Sequence, residues 1–468
     1  MNNRLLSILL LGTLCLPGFL TTVKAEETEQ EYYELMQTFV ETFEEIESNY
    51  VTEIDRKELM EAAIRGMLIK LDPYSNYISP EELTQFTESV EQEFGGVGIH
   101  VELDRASREI VIVSPIPGTP AYQAGIRSGD RIIKIEDQTV AEFEVQKEIE
   151  TAVKLLKGKP GEKVQVTIRR AMTKEEQQEK EAHSEETEEA ESDGSTQTLD
   201  IELTRAIIRV PTVLGDQYNK QGSWNFMLPG EEKIGYVRLT HFSRNTSEEL
   251  RAAIEQLKKQ GMKSLVMDLR NNPGGLLTSA VEICDMFIDS GKIVTTKGRN
   301  TREQVQRARR STTLTDVPLS IIVNRFSASA SEIVSACLQD HERAIVVGER
   351  SWGKGSVQNV IPVKDGKSAL KLTTASYHRP SGKNIHRFPG AKPDEEWGVM
   401  PNDDYQVRFD REQMRNYARY RAMKDRPDKL DQLPEFTDTQ LEKALHAIEE
   451  MSKAKELEDA KPEAKPAA

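Results

Sequence analysis

The chain has 468 residues, a length that predicts about three domains. Its apolar fraction of 37% supports a sizeable core, and its net charge of −16 argues against nucleic acid or an anionic lipid surface as main partner, because both call for a basic face. Seven scattered histidines, with no H-E-x-x-H and no paired-cysteine spacing, indicate no metal site and no cofactor.

Arg4, an apolar stretch over 5–16 and a small-residue site ending at Ala25 follow the layout of a secretory signal over residues 1–25. The apolar run is shorter than the ~20 residues that span a bilayer. The mature chain is therefore expected to carry no integral membrane segment and to work in the periplasm or on the envelope side of the inner membrane. An uncleaved N-terminal anchor is the alternative.

Residues 26–93 read as a helical arm. Leu35, Met36, Phe39, Val40, Phe43, Ile46 and Tyr50 recur at helical spacing. Asp55 followed by Glu58 opens a second helix that carries Leu59, Ala63, Ile64, Met67 and Leu68. Two amphipathic helices must cover their apolar faces on the body or on a second copy. LDPYSNYISP, which follows, reads as turn chemistry.

Residues 94–208 change to short Val/Ile-rich runs, GVGIHVEL, EIVIVSPI, DRIIKIED and KVQVTIRR, which predict a β domain. GTPAYQAGI and EVQKEIETAVKLLKG read as helices within it. Residues 173–194 interrupt the domain with an acidic, low-complexity run whose apolar area is too small to offset ordering. A solvated, disordered tether is expected there. Residues 209–405 alternate strands with helices, which predicts crossovers and a mostly parallel sheet. Residues 406–468 read as a charged helical extension with a frayed tail. The fold class is multidomain α+β. Cys284 and Cys337 could form one disulfide, but two small buried residues on core helices is the preferred reading.

Two strand–turn–helix junctions of the α/β part could carry chemistry. At 271–275, NNPGG offers backbone N–H groups at a helix start, suited to a developing oxyanion. At 327–332, SASASE offers three hydroxyls. Ser329 and Glu332 also fit a capping box, so capping competes with catalysis as the reason for that serine. No G-x-S-x-G elbow is present. Two residues could act as base: His241 at a strand end, and Lys354 between glycines in SWGKGSVQ, where Trp352 could shield it. A desolvated lysine can accept a proton near neutral pH. A plain surface charge is the competing reading of Lys354.

The stretch NRFSASASEIVSACLQDHERAIVVGERSWGKGSVQ resembles the active-site region of the C-terminal processing peptidases, PDZ-containing serine–lysine proteases of the tail-specific type. LVMDLRNNPGG resembles their oxyanion turn, and LDPYSNYIS and FGGVGI their N-terminal signatures, in the same order over about residues 35–405. The resemblance implies that Ser329 is the nucleophile, Lys354 the base and Gln358 the residue that orients the lysine. The oxyanion donors would be backbone N–H groups of Gly274 or Gly275 and of Ala330, with Ser327 and Ser331 as turn and cap. It implies a core of the crotonase-like/ClpP-like type and a PDZ domain in which Gly95, Gly96, Val97, Gly98 and Ile99 receive a terminal carboxylate. The partners expected are proteins with exposed C-termini, a second copy of the chain and an adaptor protein. A PDZ scaffold with an inactive protease fold, and the same enzyme with His241 as base, are the alternatives. Two features depart from the family, the acidic insertion and the expanded HRFPGAKPDEEWGV near residue 390. Both are expected to lie away from Ser329 and Lys354.

Overall fold

The computed structural model describes residues 20–172, 195–219, 222–230, 232–363 and 366–459. The signal-like run before residue 20, the acidic run 173–194 and the tail from 460 lie outside the described residues. The chain divides into two units, residues 1–77 and 78–468.

The first unit holds the helices Leu20–Asn49 and Arg56–Ile69. The second starts where Asp55 accepts the N–H groups of Lys57 and Glu58, as the sequence predicts. The first runs straight through Ala25. Leu35, Met36, Phe39 and Val40 are exposed along it. No helix among the described residues is long and apolar enough to cross a membrane.

The second unit opens with a helix that the turn reading missed, Pro80–Glu91. Its signal was present. Ser79 and Glu82 form a reciprocal capping box, and Pro80 occupies the first turn.

The β domain is an antiparallel sheet in the order Ile99–Asp104, Glu109–Pro115, Arg131–Ile135, Lys163–Ala171, Thr196–Thr204. Along Lys163–Ala171 burial alternates residue by residue, the period of a strand with one face on a core. Val164, Val166 and Ile168 point inward with Ile110, Ile112, Ile132, Ile135 and Leu203, and helix Glu148–Leu156 adds Ala152 and Leu156. Strands Glu93–Gly96 and Ala206–Arg209 pair with each other and tie the domain's entry to its exit.

The α/β core is built on strands Val213–Leu214, Ile234–Leu239, Ser264–Asp268, Leu319–Val323 and Ile345–Gly348, in that order, the last four parallel. Ser264–Asp268 and Leu319–Val323 are buried at every position, so both faces need a cover. Val237, Leu265, Met267, Ile321 and Val346 face helices Thr246–Lys259, Leu277–Asp285 and Ala330–Asp340. Tyr236, Val266, Ile322 and Val347 face Ala444, Ala447 and Ile448 of helix Thr439–Asp459. The C-terminal extension is thus the second covering layer of the core sheet, not an appendage to it. Strands Lys292–Lys297, Gln304–Arg307, Ser356–Val363 and Ser368–His378 form a separate antiparallel sheet. Cys284 and Cys337 are free, fully buried thiols that touch each other between two packed helices, and burial pushes the Cys284 thiol well above its usual range.

Strands Lys163–Ala171 and Thr196–Thr204 stay in register up to Ala171 and Thr196, and the Met172 N–H reaches the Ser195 carbonyl at 2.8 Å. The acidic run therefore leaves and re-enters at a hairpin end. Replacing 173–194 by Asn-Gly, which suits a two-residue hairpin, should leave the melting temperature unchanged or raised. A lower melting temperature in calorimetry would show that the run contributes to the folded domain.

Candidate active site

The glycine turn follows strand Ser264–Asp268 and is held from both sides. Asn271, Gly274 and Gly275 take positive φ of 60°, 101° and 147°. The Asn272 amide donates to the Leu239 carbonyl at 2.8 Å and its Oδ1 accepts the Gly274 N–H at 2.9 Å. The Phe242 N–H donates to the Gly274 carbonyl at 3.0 Å, and the Leu276 N–H to the Phe242 carbonyl at 2.7 Å. A Cβ on Gly275 would stand 2.2 Å from the Phe242 oxygen, so only glycine fits there.

The serine turn lies directly against this one. A Cβ on Gly274 would stand 2.8 Å from the Ser329 Cβ and 2.9 Å from the Ala330 nitrogen. Two of the three serines are cross-ties. The Ser327 hydroxyl donates to the Leu269 carbonyl at 2.8 Å, and the Ser331 hydroxyl to the Asn272 carbonyl at 3.0 Å. Ser327 also has the turn role expected of it, its Oγ accepting the Asn324 N–H at 2.9 Å, and both serines staple one turn to the other. Asn324 and Asn271 add a reciprocal pair, Nδ2 to Oδ1 at 2.9 Å and Asn271 N–H to Asn324 Oδ1 at 3.0 Å.

Ser329 is the odd residue of the triplet. Its φ of 55° and ψ of −112° lie in a region that non-glycine residues avoid, and such strain persists only where the surroundings over-determine it. Its hydroxyl meets the phenol of Tyr377, which is pushed up to about 12 by burial, against the pull of that hydrogen bond. The Ser329 N–H donates to Glu332 Oε2 at 2.8 Å. The Lys354 N–H donates to that same oxygen, also at 2.8 Å. Oε1 takes the Gly353 N–H at 2.6 Å and the Ser351 hydroxyl at 2.5 Å. A fully buried carboxylate with four donors therefore joins the serine turn to the lysine loop. Burial pushes the Glu332 pKa up and the four donors pull against it, with a net rise.

Of the residues singled out by sequence, Gly274, Gly275, Ser329 and Ala330 come together, and the Lys354 backbone joins them through Glu332. The Gly274 N–H is engaged with Asn272, whereas the N–H groups of Gly275 and Ala330 donate to no other described residue. The Gln358 amide donates to Ser356 Oγ at 2.8 Å and Thr373 Oγ1 at 3.1 Å. His241 is partly buried next to Phe242, and burial lowers its pKa. Trp352, read as a shield for Lys354, is 48% exposed.

The expanded segment near residue 390 does not lie away from the lysine loop. The Arg387 N–H donates to the Gly353 carbonyl at 2.8 Å, and a Cβ on Gly355 would stand 2.3 Å from the His386 nitrogen. Trp397 lies under the Arg350 and Arg387 guanidiniums, 4.0 and 4.6 Å from its ring centre. The glycines beside Lys354 therefore admit a crossing segment as well as a tight turn. Sequence reasoning also missed Tyr377, and it read Glu332 only as a cap partner. Spacing signals the cap; nothing local signals the loop 351–354 arriving from the far side.

Gly95 to Ile99 belong to the β domain. Gly95 and Gly96 continue strand Glu93–Gly96, and Val97 and Gly98 lead into strand Ile99–Asp104. The carbonyls of Val97 and Gly98 accept from Ala121 and Ile116. Strand Ile99–Asp104 ends the sheet order, with helix Glu148–Leu156 beside it, so one of its edges has no strand partner among the described residues.

Comparison with known proteins gives three matches along the chain. Residues 233–397 match peptidase family S41, 111–170 match a PDZ domain, and 20–82 match the activating protease CtpB N-terminal domain. The carboxy-terminal-processing protease of Bartonella bacilliformis is 37% identical over 371 residues, covering 78% of this chain and 76% of that protein. Carboxy-terminal processing protease CtpA of Bacillus subtilis is 35% identical over 353 residues, covering 75% of this chain and 66% of that protein. Among solved structures, a photosystem II D1 C-terminal processing protease is similar at 28% identity, 79% coverage of this chain, 92% of that one and a TM-score of 0.40.

Glu332→Gln keeps the shape but turns one acceptor oxygen into a donor, which leaves two of the four donors facing an NH2. A stability loss of about 2 kcal/mol is expected in urea unfolding. An unchanged midpoint would mean that the carboxylate does not hold the two turns.

Proposed function

The chain belongs to the family of carboxy-terminal processing proteases, serine-type peptidases of family S41 that carry a PDZ domain, and from that premise we propose an exported endopeptidase with a Ser329/Lys354 dyad. The observation that carries the dyad is the shared oxygen. Two N–H···O bonds of 2.8 Å end on Glu332 Oε2, so the backbone nitrogens of Ser329 and Lys354 stand no further apart than twice that length.

In this reading Ser329 Oγ attacks the substrate carbonyl carbon and neutral Lys354 Nζ takes the hydroxyl proton. The carbonyl oxygen becomes an oxyanion and accepts the N–H groups of Gly275 and Ala330. Each such donor typically contributes about 3 kcal/mol. Gly275 suits the role better than Gly274, whose N–H is engaged by Asn272. The lysine then returns its proton to the leaving amine as the C–N bond breaks, and water hydrolyses the acyl-enzyme with the same base. Gln358 orients the lysine. Tyr377, neutral throughout the working range, steadies the Ser329 hydroxyl between turnovers.

The substrates are proteins with exposed, apolar C-termini, which add a strand to the open edge of Ile99–Asp104 with the carboxylate at Gly95, Gly96, Val97, Gly98 and Ile99. The exposed apolar side chains of the arm support a homo-oligomer, and an adaptor remains part of the proposal. The location is the periplasm or the outer side of the inner membrane. The core is assigned to the crotonase-like/ClpP-like type, which the parallel run of four strands supports. His241 is the second reading for the base, favoured by a pKa that burial lowers and by its place next to Phe242, which bonds the glycine turn.

The parent, Ser329→Ala, Lys354→Ala and His241→Ala should be compared on a flexible protein with an apolar C-terminal tail. Loss of about 10⁴-fold in the first two folded variants, with turnover kept in the third, is expected. Activity that survives Lys354→Ala and collapses in folded His241→Ala would move the base to the histidine. Amidating the substrate C-terminus should raise KM at least several-fold; equal cleavage of free and amidated tails would remove C-terminal recognition from the account.

A further inference from the structure

Residues beyond 400 supply no group to the chemistry proposed above, yet they hold the residue that opens each active-site turn. Arg270 precedes the glycine turn. Its guanidinium donates to Asp268 at 2.6 and 3.0 Å, to both oxygens of Asp438 at 2.9 Å and to Gln440 Oε1 at 3.1 Å. The Tyr417 ring lies 4.2 Å from it, and the Tyr236 hydroxyl donates to Asp268 at 2.6 Å. The Arg270 side chain is 1% exposed and Asp268 is fully buried, so water cannot replace a lost partner.

Arg325 opens the serine turn in the same manner. It donates to Glu349 Oε2 at 2.6 Å and to the Phe409 carbonyl, while the Phe409 N–H donates to Glu349 Oε1 at 3.1 Å. The rings of Phe409, Tyr417 and Phe436 pack in tilted and edge-on contacts with centroids 6.1 to 6.2 Å apart. Asp438 stands two residues beyond that cluster. One packed C-terminal segment thus grips both turns, which are themselves joined by Asn271 and Asn324.

The glycine turn has positive φ at Asn271, Gly274 and Gly275 and only an isolated bridge, Gly275 to Phe242, in place of a regular ladder. Its outer end is fixed by Phe242. Its inner end is fixed by Arg270, one residue before the positive-φ Asn271. An oxyanion donor must be held to well within about 1 Å, since a misplacement of that size costs on the order of 10²-fold in rate. Without Asp438, Asp268 and the single Gln440 oxygen would leave one Nη2 hydrogen of the guanidinium without an acceptor, and the arginine could then turn toward other acceptors.

We propose that Asp438 is a positioning residue for catalysis: it fixes the Arg270 guanidinium, and through it the direction of the N–H groups in the glycine turn. The C-terminal segment is then an obligate part of the active site. The catalytic half of this inference rests on the Ser329/Lys354 reading, whereas the positional half does not.

The test uses the full chain with Asp438→Asn and Asp438→Glu. Amide hydrogen exchange over 269–276 should speed by roughly tenfold or more in Asp438→Asn while helix Ala330–Asp340 stays protected. On a peptide substrate kcat should fall about tenfold with KM unchanged, and Asp438→Glu should restore most of it. If Asp438→Asn does not fold, Gln440→Leu should move exchange and kcat in the same direction by less. Unchanged exchange over 269–276, or faster exchange spread evenly through the core, would overturn the proposal. A parent chain that cuts nothing would remove the dyad reading and leave the exchange result to decide the clamp.

Discussion

A single buried carboxylate sets the terms for everything around it. Burying the Glu332 charge is costly unless its lone pairs are matched, and here four donors match them. Those donors come from two separated pieces of chain, the turn before helix Ala330–Asp340 and the loop 351–354. The charge can be satisfied only when both pieces are in place, so its burial cost enforces their juxtaposition. The same bond to the Ser329 N–H holds that residue in its strained conformation, as strain of this kind demands.

Around that centre the structure uses hydroxyls and amides rather than apolar contact. Ser327 and Ser331 tie the two turns through the Leu269 and Asn272 carbonyls, Asn271 and Asn324 through their side-chain amides, and Asn272 anchors the glycine turn to the Leu239 carbonyl. Rigidity comes from beneath, from strands buried on both faces and covered by helices on each side. The result is a pair of loops with the positional definition of a core.

Much of this was legible in the sequence because the signals are local. Alternation marked the β domain, strand–helix alternation marked the parallel sheet, and Asp55 marked a helix start. The two turns were legible because glycines and serines sit where chain reversals occur. What stayed hidden depends on residues distant in sequence. The Glu332 bonds to 351–354, the Tyr377 contact with Ser329 and the crossing of 386–387 over the glycines beside Lys354 leave no periodic trace. The region after residue 405 read only as a charged helical extension because polar residues dominate its pattern, while Ala444, Ala447 and Ile448, with Tyr405, cover one face of the sheet. The helix Pro80–Glu91 was missed for a different reason: its capping box was present, but the turn residues before it drew the reading.

The most direct test of the account is a crystal structure of the chain after reaction with a peptidyl fluorophosphonate. The account predicts phosphorus on Ser329 Oγ, its non-bridging oxygen on the N–H groups of Gly275 and Ala330, and Lys354 Nζ within hydrogen-bond reach of Oγ. Glu332 should still accept both backbone N–H groups. An adduct whose Oγ faces His241 instead of Lys354, or a chain that forms no adduct at Ser329, would contradict it.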